Sequence, residues 1–217
     1  RIAVFAEFLA KGEPVTEILR LQGMDTFTET VPMLDSKGHM TSQEVERALG
    51  VDVALRWGVG YDTDAWRFVN IIATPKGGTH VQGFERGMVR AFAKSLEGTR
   101  LLKAGDEVIK DDIVEGMTAV VTVRLAEPQF EGQTKEVLGT PPATRLVAKA
   151  VERELGEFLT STRAAQRAQA RAVMEKVVSA SRTRVAARAH KDNQRRKNAL
   201  ESSTLPAKLA DCRSTDS

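Results

Sequence analysis

Apolar residues alternate strictly along one stretch of the chain: Val51, Val53, Leu55 and Trp57 share one side. A period of two is the spacing of a strand with one buried face. Residues 66–74 (WRFVNIIAT) repeat the pattern, and Gly58 to Asp64 between the two runs predicts a hairpin loop. Residues 117–125 (MTAVVTVRL) are the most strand-like stretch, stopped by Pro128.

Elsewhere the spacing is helical. Val4, Phe5, Phe8 and Leu9 mark a helix over 2–10, broken by Lys11-Gly12-Glu13-Pro14. Residues 15–34 are rich in Thr, Val and Leu, with a turn at Lys37-Gly38. Residues 41–49 (TSQEVERAL) open on Thr41 with Glu44 three positions on, the capping-box pattern, so a helix start is expected there. The Pro75–His80 turn feeds a helix to about Leu96, with Val81, Phe84, Met88, Val89 and Phe92 along one side and Gly98 at its end. Asp111-Asp112 cap a short helix carrying Ile113 and Val114. After Pro141-Pro142, residues 143–160 turn Leu146, Val147, Val151, Leu155, Phe158 and Leu159 inward. Residues 163–200 hold neither Pro nor Gly and are rich in Ala, Arg and Gln. A helix of that length approaches about 50 Å at roughly 1.5 Å per residue, and Leu205-Pro206 ends it. Strands mixed with helices predict an α/β (α+β sandwich) fold with no internal repeat. The expected organisation is an α/β domain over 1–162, a long basic helix over 163–201 and a linker over 202–217.

Composition adds three constraints. Of 217 residues 41% are hydrophobic but only 5% aromatic, so the core must be built mainly from Val, Leu, Ile and Ala. The net charge of +3 is too small to argue for nucleic acid by itself. Its distribution matters more, because Arg163 to Lys197 carries eleven Lys and Arg against Glu175 and Asp192. The single cysteine, Cys212, excludes an internal disulfide and argues against a structural zinc site, which fits a reducing cytoplasm. No apolar run approaches the roughly 20 residues of a membrane span, and nothing resembles a signal peptide. The chain begins at Arg1 and closes on a polar tail, so it reads as a fragment of a longer polypeptide.

Four places could carry chemistry. Lys135, in the run PQFEGQTK (128–135), sits on a strand-to-helix connection and could deliver a point charge outside its own domain. Its residue type alone favours a plain exposed lysine. Gly77-Gly78-Thr79-His80 lacks the GK[ST] ending of a phosphate loop, so a tight turn with Thr79 as helix cap and a packed His80 is the favoured reading. Asp62 and Asp64 at a hairpin tip, and Asp111 and Asp112 at a helix start, suit structural roles better than metal or acid–base work. The cations of the long helix could follow a DNA backbone or simply be a solvated face. Few aromatics and no recognition motif argue against base reading.

Several stretches, in the same order, resemble one family. They are ALRWGVGYDT (54–63), FVNIIATPKGGTHVQGFERGM (68–88), EGMTAVVTVRLAEPQFEGQTKEVLG (115–139) and RRKNALESSTLPAKLADCRSTD (195–216). Together they resemble the transducer domain of the B subunit of bacterial type IIA topoisomerases, DNA gyrase and topoisomerase IV. The resemblance implies a ribosomal-protein-S5 domain-2-like fold lying between a GHKL ATPase domain and a TOPRIM domain. It implies that Gln133 and Lys135 reach the terminal phosphate of ATP held with Mg2+ in the neighbouring domain, and that no metal is bound within this chain. It also implies double-stranded DNA, the topoisomerase A subunit and a second B subunit as partners, and a cavity whose DNA-facing cations would include Arg86, Arg182, Arg188, Arg195 and Arg196. The chain departs from the family pattern at Ala207, where Gly is usual, at Glu85 before Arg86, and in a longer segment over 27–42. The alternatives are an S5-like domain of another GHKL ATPase, of mismatch-repair or chaperone type, and a stand-alone nucleic-acid-binding module.

Overall fold

The strand over 117–125 becomes the centre of the molecule. In a computed structural model of the chain, which describes residues 2–34, 39–103 and 106–201 (the last three without side chains), Met117–Leu125 is buried on both faces. An apolar, β-branched run suits a strand covered on both sides. In chain order the elements are α1 (Ile2–Leu9), β1 (Leu19–Leu34), β2 (Met40–Trp57), β3 (Asp64–Val69), β4 (Ile72–Ala73), β5 (Gly77–Gly78), α2 (Thr79–Glu97), α3 (Lys110–Val114), β6 (Met117–Leu125), β7 (Val137–Leu138), α4 (Pro142–Leu159) and α5 (Ala164–Glu201). The larger sheet runs β1-β2-β6-β3-β4, and β5 pairs with β7 in a separate two-stranded sheet. The fold is therefore mixed α/β, as expected. The turn expected at Lys37-Gly38 and the linker over 202–217, with Leu205-Pro206, Ala207 and Cys212, lie outside the described residues.

Odd-numbered residues of β2 and β6 face the main core. Val51, Val53, Leu55 and Trp57 meet Ala119, Val121 and Val123 there, under Phe84, Met88 and Phe92 of α2 and Leu146, Val147, Val151 and Leu155 of α4. Trp57 is fully buried, its ring edge-on to Phe92 at 5.7 Å and its Nε1–H donating to the Ile113 carbonyl at 2.7 Å. Helices α2 and α4 approach closely because α2 offers glycines at the contact. A Cβ on Gly83 would lie 2.6 Å from the Thr144 carbonyl oxygen, and one on Gly87 would lie 2.7 Å from that of Ala148. On the opposite sheet face Ala6 of α1 packs with Ala54 and Val120.

Several expectations are corrected. The helix expected over 41–49 is strand, the distal part of β2, paired antiparallel with β1 from Leu34↔Met40 to Leu19↔Leu55. The period of two runs back from Leu49 through Arg47 to Val45, and a charged residue at Arg47 hides it. Long-range pairing then overrides a local cap signal. The hairpin expected between the strands at 51–58 and 66–74 does not form, because β6 inserts between β2 (antiparallel) and β3 (parallel). The intervening loop docks instead on the start of β6, with Gly58 N–H donating to Gly116 O and Gly116 N–H to Tyr61 O. This also moves Asp64 from a hairpin tip to the first residue of β3, where it faces Lys11 at 3.7 Å. The run over 66–74 is divided by a turn at Asn70, whose φ is 57°. Finally, α1 forms where expected but buries Ala6, while Val4 and Phe8 are 68% and 84% exposed.

Helix α5 changes character along its length. Ala170, Val173, Met174, Val177 and Val178 join the main core. From Arg182 to Asn198 every residue except Arg184 is exposed.

Candidate functional site

The connection between β6 and α4 is a small, pinned loop. Pro128 cannot extend the β6 ladder because it has no N–H. The chain then folds back on itself: Gly139 N–H donates to Gln129 O at 2.8 Å, Glu131 N–H to Val137 O at 2.9 Å, and Phe130 bridges Leu138. Gly132 to Lys135 form the tip, closed by a weak Lys135 N–H···O Gly132 contact at 3.4 Å. Gly132 has φ 82° and Lys135 φ 55°. A left-handed lysine is uncommon and persists where its surroundings over-determine it.

Those surroundings are visible on both arms. The returning arm, β7, pairs in parallel with β5, register Gly77↔Val137 and Gly78↔Leu138. This explains the double glycine. Gly77 and Gly78 have φ 87° and 126°, and a Cβ on Gly78 would sit 2.4 Å from the backbone N and O of Leu138. Lys76 Nζ reaches Glu136 at 2.6 Å, and Thr134 Oγ1 donates to the same carboxylate at 3.1 Å. The Lys76 hydrogen bond, then that of Thr134, lowers the Glu136 carboxyl below its ordinary range. On the rising arm Gln129 N–H donates to Thr140 Oγ1 at 3.0 Å.

Gln133 and Lys135 are exposed at the tip, and neither side chain has a partner among the described residues. Thr79 begins α2 rather than capping it. The cap position is Gly78, and the Thr79 hydroxyl is buried without a partner. His80 is fully buried with Nε2 at 3.2 Å from Thr74 Oγ1. Burial, reinforced by the positive charge of Arg67, pushes its pKa down to about 4, so it is a neutral packed residue, as expected. Asp112 sits at the start of α3, accepts the Ile109 N–H at 2.9 Å and is clasped by Arg184 at 2.8 and 3.0 Å. That confirms a structural role. Among the described residues no group of three or more His, Cys, Asp or Glu could hold a metal ion.

The expected DNA-facing cations are not equivalent. Arg182 holds Asp106 at 2.8 Å and the Leu101 carbonyl at 2.8 Å. Arg86 on α2 and Arg188, Arg195 and Arg196 on α5 are exposed, with no ion pair among the described residues. A cleft of about 600 Å3 between the start of β1 and the α4–α5 turn mixes Glu17, Glu154 and Glu157 with Arg20 and Arg163, and no residue of the 128–136 loop lines it. The sequence pattern missed Lys76 and Glu136 as clamps, since nothing local pairs residues sixty positions apart.

The architecture is similar to the 43K ATPase domain of Thermus thermophilus gyrase B, solved in complex with an aminocoumarin. The TM-score is 0.67 at 29% identity, over 88% of this chain and 45% of that one. The topoisomerase IV ATP-binding domain of Francisella tularensis, at 24% identity, shares the fold with TM-score 0.55 over 73% of this chain and 40% of its own. The class is that of type IIA topoisomerase B subunits. Residues 2–193 match the family model described as DNA gyrase B, and the chain belongs to that family. Its relatives include the DNA gyrase B proteins of Streptomyces coelicolor, 39% identical over 178 residues, and of Mycobacterium tuberculosis, 40% identical over 185 residues. The matches cover 82% and 85% of this chain but 25% and 26% of those relatives, so the chain spans about a quarter of their length. No helix among the described residues is long and apolar enough to cross a membrane.

Proposed function

We propose that this chain is the transducer segment of an ATP-dependent type IIA topoisomerase B subunit, with a ribosomal-protein-S5-like body. It couples ATP binding and hydrolysis in a neighbouring GHKL domain to DNA gate movement and duplex passage. The observation that carries this reading is Lys135, an exposed cation without a partner among the described residues, in a left-handed conformation at the tip of a loop pinned on both arms. Free cations on flexible loops are common; a free cation on a clamped one is placed to meet something outside.

The tip fits a terminal phosphate. Bound ATP with Mg2+ supplies a phosphoryl group whose oxygens carry the charge that hydrolysis redistributes. Lys135 offsets that charge as a point donor, and Gln133, two residues earlier, adds an amide donor. A charge-assisted contact is worth about 1.5–3 kcal/mol. That is enough to bias a hinge between two orientations, provided the contact exists in only one of them. Pairing of β5 with β7 ties the loop to the start of α2, and α2 packs on α4. A pull on Lys135 is therefore borne by the helical layer rather than lost in a floppy connection.

Arg86, Arg188, Arg195 and Arg196, with no ion pair among the described residues, present cations suited to sequence-independent contact with duplex phosphates. The partners on this reading are double-stranded DNA, the A subunit and a second B subunit, in the cytoplasm. Membership of the gyrase B family favours it over the mismatch-repair and chaperone ATPases and over a stand-alone module. In the complete protein Lys135→Ala is expected to lower kcat for ATP hydrolysis by about 100-fold or more while leaving the melting temperature unchanged. Turnover at the native rate in that variant would contradict the proposal.

A further inference from the structure

Arg47 is a charge in the wrong place for a simple strand. It lies on the inward face of β2, in the series Val45, Arg47, Leu49, Val51, where its neighbours are apolar. Its side chain is 17% exposed, and its Nε has no hydrogen-bond partner among the described residues. An apolar residue there would be cheaper to bury. What Arg47 reaches is the stem of the Gln133–Lys135 loop.

The β2–β6 ladder ends at Leu49↔Leu125. Continued by two residues, the same register would place Arg47 opposite Glu127, and Arg47 Nη2 donates to Glu127 Oε2 at 2.6 Å. The ion pair thus carries the register past the last ladder pair, one residue before Pro128. Arg47 Nε also stands 3.6 Å from Glu29 Oε2 on β1. Glu29 Oε1 in turn accepts a hydrogen bond from Gln129 Nε2. Gln129 is the residue at which the two arms of the loop close, through its carbonyl to Gly139 and its N–H to Thr140. One guanidinium therefore links β1, β2 and the rising arm, whereas the Lys76–Glu136 pair holds the returning arm.

We infer that Arg47 is a positioning residue for ATP hydrolysis, acting through Glu127, Glu29 and Gln129 to fix the angle of the loop that presents Lys135. The inference rests on the proposed role of Lys135. A loop that swings freely still lets ATP bind in the neighbouring domain but misplaces the cation in the transition state. The loss accordingly falls on kcat and not on KM.

The test uses the complete protein with the proposed A subunit and DNA, and counts active sites by binding of a non-hydrolysable ATP analogue. In Arg47→Met, kcat per site is expected to fall about fivefold or more, with KM for ATP and the melting temperature little changed. Glu127→Gln, at a side chain that is 67% exposed and so no threat to the fold, is expected to move kcat in the same direction. Native kcat per site in both variants overturns the inference. So does a loss accounted for wholly by fewer folded sites. Lys135→Ala, run in parallel, separates the two claims. If it turns over normally, the proposed function itself fails. If it is inactive while the Arg47 and Glu127 variants are normal, only the positioning role fails.

Discussion

At the scale of single residues, environment separates groups that the sequence presents as similar. Lys76 and Lys135 lie on facing segments, yet Lys76 is occupied by Glu136 while Lys135 has no partner among the described residues. His80 is a titratable residue in an apolar setting, and burial makes it resist protonation down to about pH 4. This gives a pH dependence with a definite sign. The unfolded chain protonates this imidazole near its ordinary value of 6.5, and the folded one does so only near 4. The unfolded state therefore binds more protons across that window, and His80 lowers stability as pH falls from about 6.5 to 4. Below both values its contribution levels off at about 3 kcal/mol. Replacing His80 with Asn should flatten this part of the stability–pH curve relative to the native chain, read by urea unfolding at a series of pH values. A curve that keeps its slope would mean that His80 is protonated in the fold.

At the scale of elements, interlocking contacts matter more than any one helix or strand. Helix α5 is tied to the body by Arg184, which clasps Asp112 of α3, itself 3% exposed at the side chain. Arg184→Leu leaves that carboxylate without its counter-charge. The expected outcome is a lower midpoint in urea unfolding, with a smaller fall than for a fully buried orphan because Arg184 is 31% exposed. An unchanged midpoint would show that α5 is held by its apolar face alone. Elements that satisfy their own patterning were legible in the sequence. They include α4, whose six expected inward residues are all buried, and β6, whose bounds match the apolar run. The failures came where tertiary pairing decides. Thr41 and Glu44 look like a helix cap, but the partner strand β1 makes the segment strand. Gly58 to Asp64 look like a hairpin, but β6 arrives from fifty residues away to separate the two strands. The run PQFEGQTK stands out as the proposed site only through its family resemblance. The contacts that hold the loop were not legible, because Gly78, Lys76 and Arg47 meet their partners only when distant segments come together.

At the scale of the whole molecule, a rigid α/β body offers two outward features: the pinned loop and the exposed half of α5. Between them lie a helical layer close-packed through glycines and a central strand buried on both faces. The proposed transducer role asks for a part that transmits a small displacement instead of absorbing it. Its central claim is that Lys135 meets the terminal phosphate of ATP held by a neighbouring domain. The most direct measurement is a structure of the complete protein with a non-hydrolysable ATP analogue bound. The account predicts Lys135 Nζ at about 2.7–3.2 Å from a terminal phosphate oxygen, with Gln133 alongside and the Lys76–Glu136 clamp intact. A closed, analogue-bound protein in which Lys135 remains in solvent would contradict it.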